Sequence, residues 1–150
     1  MMSPKFSLQN VLDLRHGKVE LLEIELGKLT AIHQETQDLH SSLKHYQESL
    51  LGQLSAAQTG DMDMVEINLL RLNILQINKH IEVVVLELKK QAREIEETRM
   101  KLVQAKQAEE TLEILKRKRH EVYIAEQLQI ESQAQDDIYI ARAFRSQNGA

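Results

Sequence analysis

The sequence predicts an all-α fold: a long antiparallel two-helix coiled-coil hairpin with an overhanging C-terminal helix. Three observations predict it. Among 150 residues there are one Pro and five Gly, so the chain holds turn formers for only one or two reversals. Apolar residues recur in a 3-4 alternation over long stretches, which is the period of a coiled-coil seam. Hydrophobic residues make up 42% of the chain and charged residues 28%, too apolar for a disordered chain of this charge. A β-sandwich, a barrel or a doubly wound α/β enzyme would need glycine- and proline-rich turns that are missing here. One domain over residues 1–150 is the expectation at this length.

Helix 1 is expected from about Pro4 to Leu54, with Ser3 as cap and Pro4 at the first helical position. The only strong punctuation is GQLSAAQTGD, between Gly52 and Asp61, which places the turn at about 55–61. Thr59 or Asp61 is the expected cap of the next helix, because either side chain can accept the free N–H groups of a first turn. Helix 2 is expected from about Met62 to Phe144, since no Pro follows Asp61 and no Gly appears before Gly149. The β-branched stretch IEVVVLEL, Ile81–Leu88, could be read as a strand, but it sits inside an unbroken heptad pattern and reads as helix.

The helix 2 seam runs through Ile67, Leu70, Ile74, Ile77, Ile81, Val84, Leu88, Gln91, Ile95, Thr98, Leu102, Ala105, Glu109 and Leu112. In helix 1 the alternation picks up Leu8, Leu12, Arg15, Val19, Leu22, Leu26 and Leu29. Following the apolar residues, it then slips by one to Ile32, Thr36, Leu39, Leu43, Tyr46 and Leu50. Such a loss of phase predicts a stammer-like overwinding at about Leu29–Ile32. Helix 1 is shorter, so it should cover helix 2 only to about residue 110. Beyond lie Leu112, Leu115, Val122, Tyr123, Leu128, Ile130, Ile138, Tyr139 and Phe144, apolar side chains that need a partner.

Catalysis and cofactor binding find no support. The absence of Cys excludes thiolate zinc sites and cysteine nucleophiles. The six His residues are scattered without metal-ligand spacing, and the many carboxylates lie along a solvated rod with no pocket to tune them. No glycine-rich phosphate loop or nucleophile elbow occurs, so neither a cofactor nor a small-molecule substrate is expected. With 19 Lys and Arg against 23 Asp and Glu, the net charge is −4, which argues against nucleic acid as a partner. No apolar run is long enough to span a membrane, and the N-terminus lacks a signal-peptide core, so a cytoplasmic location is expected. The run Lys116-Arg117-Lys118-Arg119 girdles one helical turn. It can be a solvated stretch, a docking site for an acidic protein surface, or a contact for nucleic acid or anionic lipid.

The opening Phe6-Ser-Leu8-Gln-Asn-Val11-Leu12-Asp13-Leu14-Arg15 resembles the start of the flagellar export protein FliJ family, which often begins Phe-x-Leu-x-x-Val-Leu-[Asp/Asn]-x-Arg. The stretch from Leu112 and Leu115 through Arg119 and Glu121 to Asp136, Asp137, Ile138 and Ala141 is similar to that family's C-terminal region. LKHYQESLLGQL, Leu43–Leu54, looks like the end of its first helix. The resemblance implies a non-catalytic central-stalk protein of the export apparatus. Its helix termini would enter the pore of a hexameric export ATPase. The distal hairpin would meet the membrane-embedded export-gate protein and bind export chaperones, giving a cytoplasmic protein peripherally associated with the inner membrane. By position, ATPase contacts fall on Leu112, Leu115, Lys116, Arg117, Lys118, Arg119, Val122 and Tyr123. Gate contacts fall on Leu39, Leu43, Tyr46, Leu50, Leu70, Ile74, Ile77 and Ile81. Leu50 and Ile81 depart from members that carry an aromatic and a polar residue there. Most gate positions also lie on the expected seam, where hairpin packing accounts for them. The alternatives are a generic coiled-coil scaffold or adaptor, the stalk of a related type III secretion system, a parallel dimer hinged at the Gly52–Asp61 break, and a peripheral membrane helix.

Overall fold

A computed structural model describes residues 6–148 of the chain, and the expected helix start at Ser3–Pro4 lies outside the described residues. The described chain is two helices, α1 over Gln9–Ala57 and α2 over Met64–Asn148, with no strand. Together they form a helical hairpin. Ile81–Leu88 is helical, inside α2.

α1 runs three residues past the expected Leu54. Ala56 and Ala57 are strong helix formers, and Leu54 and Ala57 pack against the core, so the helix outlasts Ser55. Gln58 N–H then donates to the Leu54 carbonyl at 3.1 Å. Both the N–H and the hydroxyl of Thr59 donate to the Ala56 carbonyl, at 3.2 and 2.8 Å. Thr59 therefore closes α1 and does not cap α2. Gly60, at φ 82°, takes the left-handed conformation that reverses the chain and that residues with a Cβ adopt at a cost.

The cap of α2 is Asp63, not Thr59 or Asp61. Its Oδ1 accepts from the N–H of Val65 at 3.0 Å and from Glu66 at 3.5 Å, and its carbonyl accepts from Ile67. The longer α1 shifts the turn downstream, so the carboxylate that meets the first turn is two residues later than expected. Glu66 adds a negative charge in that turn, where the helix dipole favours it.

The chain divides into two units: Met1–Val19 with Gln104–Ala150, and Glu20–Val103. We call these the terminal and central units. In the central unit the helices run antiparallel, since His33 meets Gln91 while Gln47 meets Asn78. Its core is Leu43, Leu50, Leu70, Ile77, Ile81 and Val84, with Leu54, Ala57, Ile74, Val85 and Leu88 packed against it. The α2 seam there keeps the expected alternation, including buried Gln91 and Thr98.

The α1 seam corrects the sequence reading. No slip occurs after Leu29. The buried and half-buried positions continue as His33, Thr36, His40, Leu43, Gln47 and Leu50, in unbroken 4-3 alternation. Ile32, Leu39 and Tyr46, each one residue earlier than a polar seam residue, stay 50%, 43% and 51% exposed. A slip would rotate α1 by about 100° against a partner whose own seam never changes phase, and the overwinding would cost more than three apolar side chains return. α2 also rewards the in-phase arrangement. Gln91 Oε1 accepts from His33 Nδ1 at 3.1 Å and its Nε2 donates to Thr36 Oγ1 at 2.9 Å, while Gln47 donates to Asn78. Among the described residues no buried side-chain polar atom lacks a hydrogen-bond partner, so these polar layers are satisfied rather than merely tolerated.

Two measurements check this. Asp63→Ala should lower unfolding stability by about 1 kcal/mol, and Asp63→Asn should restore most of it, in urea titrations followed by circular dichroism. Leu50→Ala, at a site 3% exposed, should cost at least about 2 kcal/mol. Leu39→Ala should cost under about 0.5 kcal/mol. Equal costs at the two leucines would mean that the slipped phase is the real one.

Candidate functional site: exposed apolar rows and a basic girdle

In the terminal unit the two chain segments meet through residues of opposite character. Leu12, Val19, Ala105 and Leu112 are buried. Arg15, an odd residue for a seam, lays its stem along it and donates from Nη1 to the Ala108 carbonyl at 2.9 Å. His16 Nδ1 and Glu109 Oε1 are 2.7 Å apart, which explains the polar Glu109 in the α2 alternation. Arg119 Nη1 donates to Ser7 Oγ at 2.8 Å, and its guanidinium lies over the Phe6 ring, 5.4 Å from the centroid. The N-terminal segment therefore reaches Arg119, about two and a half turns of helix further than expected, because α1 and its turn extend further downstream.

The residues expected to meet an ATPase ring divide accordingly. Leu112 is buried in the hairpin, and Leu115 and Tyr123 are half-buried. Lys116, Arg117, Lys118 and Val122 face solvent. Arg119 is exposed but held by Phe6 and Ser7. From Leu128 to Asn148 every described residue of α2 is exposed. Ile138, Tyr139 and Ile140 are consecutive, so at about 100° per residue they project around more than half the helix, with Phe144 one turn on.

In the central unit, six of the eight expected gate positions hold the hairpin together. Leu43, Leu50, Leu70, Ile77 and Ile81 belong to the core, and Ile74 packs against it. Leu39 and Tyr46 are the two that present surface. Tyr46 edges a cavity of about 240 Å³ lined also by Asn73, Gln76, Ile77 and His80. A second apolar row was missed in the sequence: Val65, Leu69, Leu72, Val83 and Leu86, all exposed. They lie on the back of α2 and continue through Gln76 and Lys79 in a 4-3 alternation of their own, offset by two residues from the seam. That second alternation is the signal in the sequence, weaker than the seam because Gln76 and Lys79 interrupt it.

Among the described residues no group of His, Asp or Glu is placed to hold a metal ion, and no helix is long and apolar enough to cross a membrane. The arrangement offers convex surfaces and shallow grooves, suited to binding other chains.

Comparison with known proteins gives one result. No curated protein and no solved structure matches the chain. The family model described as Flagellar FliJ protein matches residues 4–148, nearly the whole of the sequence. This hairpin, with its exposed apolar rows and basic girdle, therefore belongs to the FliJ family of flagellar proteins.

Proposed function

We propose that the chain is a non-catalytic central-stalk and coupling protein of a flagellar-type export apparatus. The terminal unit inserts into a hexameric export ATPase, and the central unit contacts the membrane export gate and export chaperones. The protein works in the cytoplasm, peripherally associated with the inner membrane at that apparatus. Residues 1–150 serve as one functional domain.

The observation that carries this reading is the exposed stretch of α2 after Arg119. A helix packed on one neighbour needs one apolar stripe; this one carries Ile138, Tyr139, Ile140 and Phe144 on several sides. A ring encloses a helix from all sides at once and satisfies such a pattern. Lys116, Arg117 and Lys118 supply charge at the edge of that stretch for an acidic rim, with Leu115, Val122 and Tyr123 as packing contacts. Leu112 and Arg119 act indirectly, by fixing where the paired part of the terminal unit ends. Coupling requires that the stalk bind some subunit conformations better than others, since a ligand with equal affinity for every state shifts nothing.

At the gate, Leu39 and Tyr46 offer surface, and the six seam residues shape the hairpin that carries them. The back row on α2 enlarges the apolar area available to gate or chaperone.

The Lys116→Ala, Arg117→Ala, Lys118→Ala triple variant should bind the cognate ATPase at least about tenfold more weakly, with a shallower dependence on salt, while its helicity stays unchanged. Unaltered affinity and ATPase stimulation would remove the basic girdle from the interface. Ile138→Ser, Tyr139→Ser, Ile140→Ser and Phe144→Ser together should abolish stimulation of the ATPase while the unfolding midpoint moves little, because all four side chains are exposed. Full stimulation by that variant would overturn insertion of this stretch.

A further inference from the structure

Over residues 29–50 only part of the apolar surface of α1, including Leu43 and Leu50, is turned to α2. The seam positions there include His33, His40 and Gln47, and the apolar residues stand one position earlier, at Ile32, Leu39 and Tyr46. They are seven apart, so they share one side of the helix. The seam position of Leu43 and Leu50 and the flank row of Ile32, Leu39 and Tyr46 are both apolar, which gives a surface wide enough for two neighbours, and α2 fills only one of those places. The cavity between Tyr46 and Asn73, Gln76, Ile77 and His80 shows that this flank opens onto a groove shared with α2.

Charge says what fits beside it. The α2 positions along the same side are Asn73, His80, Glu87 and Glu94, and Glu35 stands next to the row on α1. Glu87 is tied to the polar layer, accepting from Gln91 Nε2 at 3.5 Å. Lys28 shares its helical position with Glu35, and Lys90 shares its position with Gln76 and Glu97, so these outer charges balance and the acid excess beside the row rests on Glu25, Glu87 and Glu94. The opposite flank is different: it carries Lys44, Arg71 and Arg99. An apolar row edged by carboxylates selects an apolar ridge edged by cations. A second copy of this chain presenting the same side would bring carboxylate against carboxylate, and an anionic lipid surface would be repelled.

We infer that the Ile32–Leu39–Tyr46 side of the central unit docks an amphipathic helix with basic flanks, taken up as a third strand of the coiled coil. The inference rests on the reading of Leu39 and Tyr46 as partner contacts and names the chemistry of that partner. His33, His40 and Gln47 serve the same end. By occupying the seam with hydrogen-bonding side chains they keep the apolar row turned outward.

The test uses the full chain and two labelled four-heptad peptides, both with Leu at the core positions, one flanked by Lys and one by Glu. Fluorescence anisotropy should show the Lys peptide binding at least about tenfold more tightly than the Glu peptide. Binding should be lost in Ile32→Ser, Leu39→Ser, Tyr46→Ser, and the preference reversed in Glu87→Lys, Glu94→Lys. Circular dichroism confirms that the variants stay helical. Equal binding of both peptides, binding that survives the serine variant, or binding that instead follows Leu51→Ser on the opposite flank overturns the inference. So does sedimentation showing that the row is covered by a second copy of the chain. The two readings fail separately: absence of peptide binding leaves the ring-insertion result untouched, and loss of that result leaves the peptide measurement standing.

Discussion

The unbroken phase of the α2 seam is the constraint from which the rest of the molecule follows. From Ile67 to Leu112 a residue enters the interface at every third or fourth step, without insertion or deletion. A partner helix must keep the same step or strain its backbone. α1 keeps it, even where its own sequence would place better hydrophobes inside by slipping one residue. The result is a seam in which polar residues occupy the interior and apolar ones are displaced to the flank. Local apolar preference loses to the geometric demand of the neighbour, and hydrogen bonds between Gln91, His33 and Thr36 make the loss tolerable.

Those polar layers change the kind of stability the hairpin has. A buried apolar pair contributes through area removed from water and is indifferent to small shifts along the helix. A Gln91 that bonds His33 on one side and Thr36 on the other is satisfied at one register only, and a shift would leave it buried and unpaired. The core cluster around Leu43, Leu50, Ile77 and Ile81 supplies cohesion, and the polar layers supply alignment. In the terminal unit the same role falls to Arg15 and to the His16–Glu109 pair. Alignment matters for a binding protein built from two helices, because every external row is composed by residues whose spacing the register fixes.

Much of the fold was legible in the sequence because its signals are local. Two helices, one reversal near Gly60 and the whole α2 seam follow from punctuation and period. The α1 seam beyond Leu29 does not, because the hydrophobicity of one helix does not set its phase, which belongs to the pair. The cap at Asp63 was misplaced by the same kind of local reasoning: Thr59 is a good cap in isolation, but alanines at 56 and 57 carry α1 past the point where it could serve. Of the surface residues, the basic girdle was visible as a run of like charge. That Arg119 is drawn out of it by Phe6 and Ser7 depends on which residues lie across the hairpin, which only the register reveals. The six seam leucines and isoleucines proposed as gate contacts illustrate the converse, since a heptad pattern shows which residues are apolar and not which of two neighbours each one serves.

The stretch from Leu128 to Asn148 is helical although nothing in the described chain shields its side chains. Its shape is set by residues such as Ala, Gln, Glu, Leu and Arg, which favour the helix by themselves. A segment that waits in its bound form gives up only side-chain freedom on capture, where a floppy tail would also surrender backbone entropy. The exposed end therefore meets any binding surface with its backbone already ordered, and less of the contact energy is spent on arranging it.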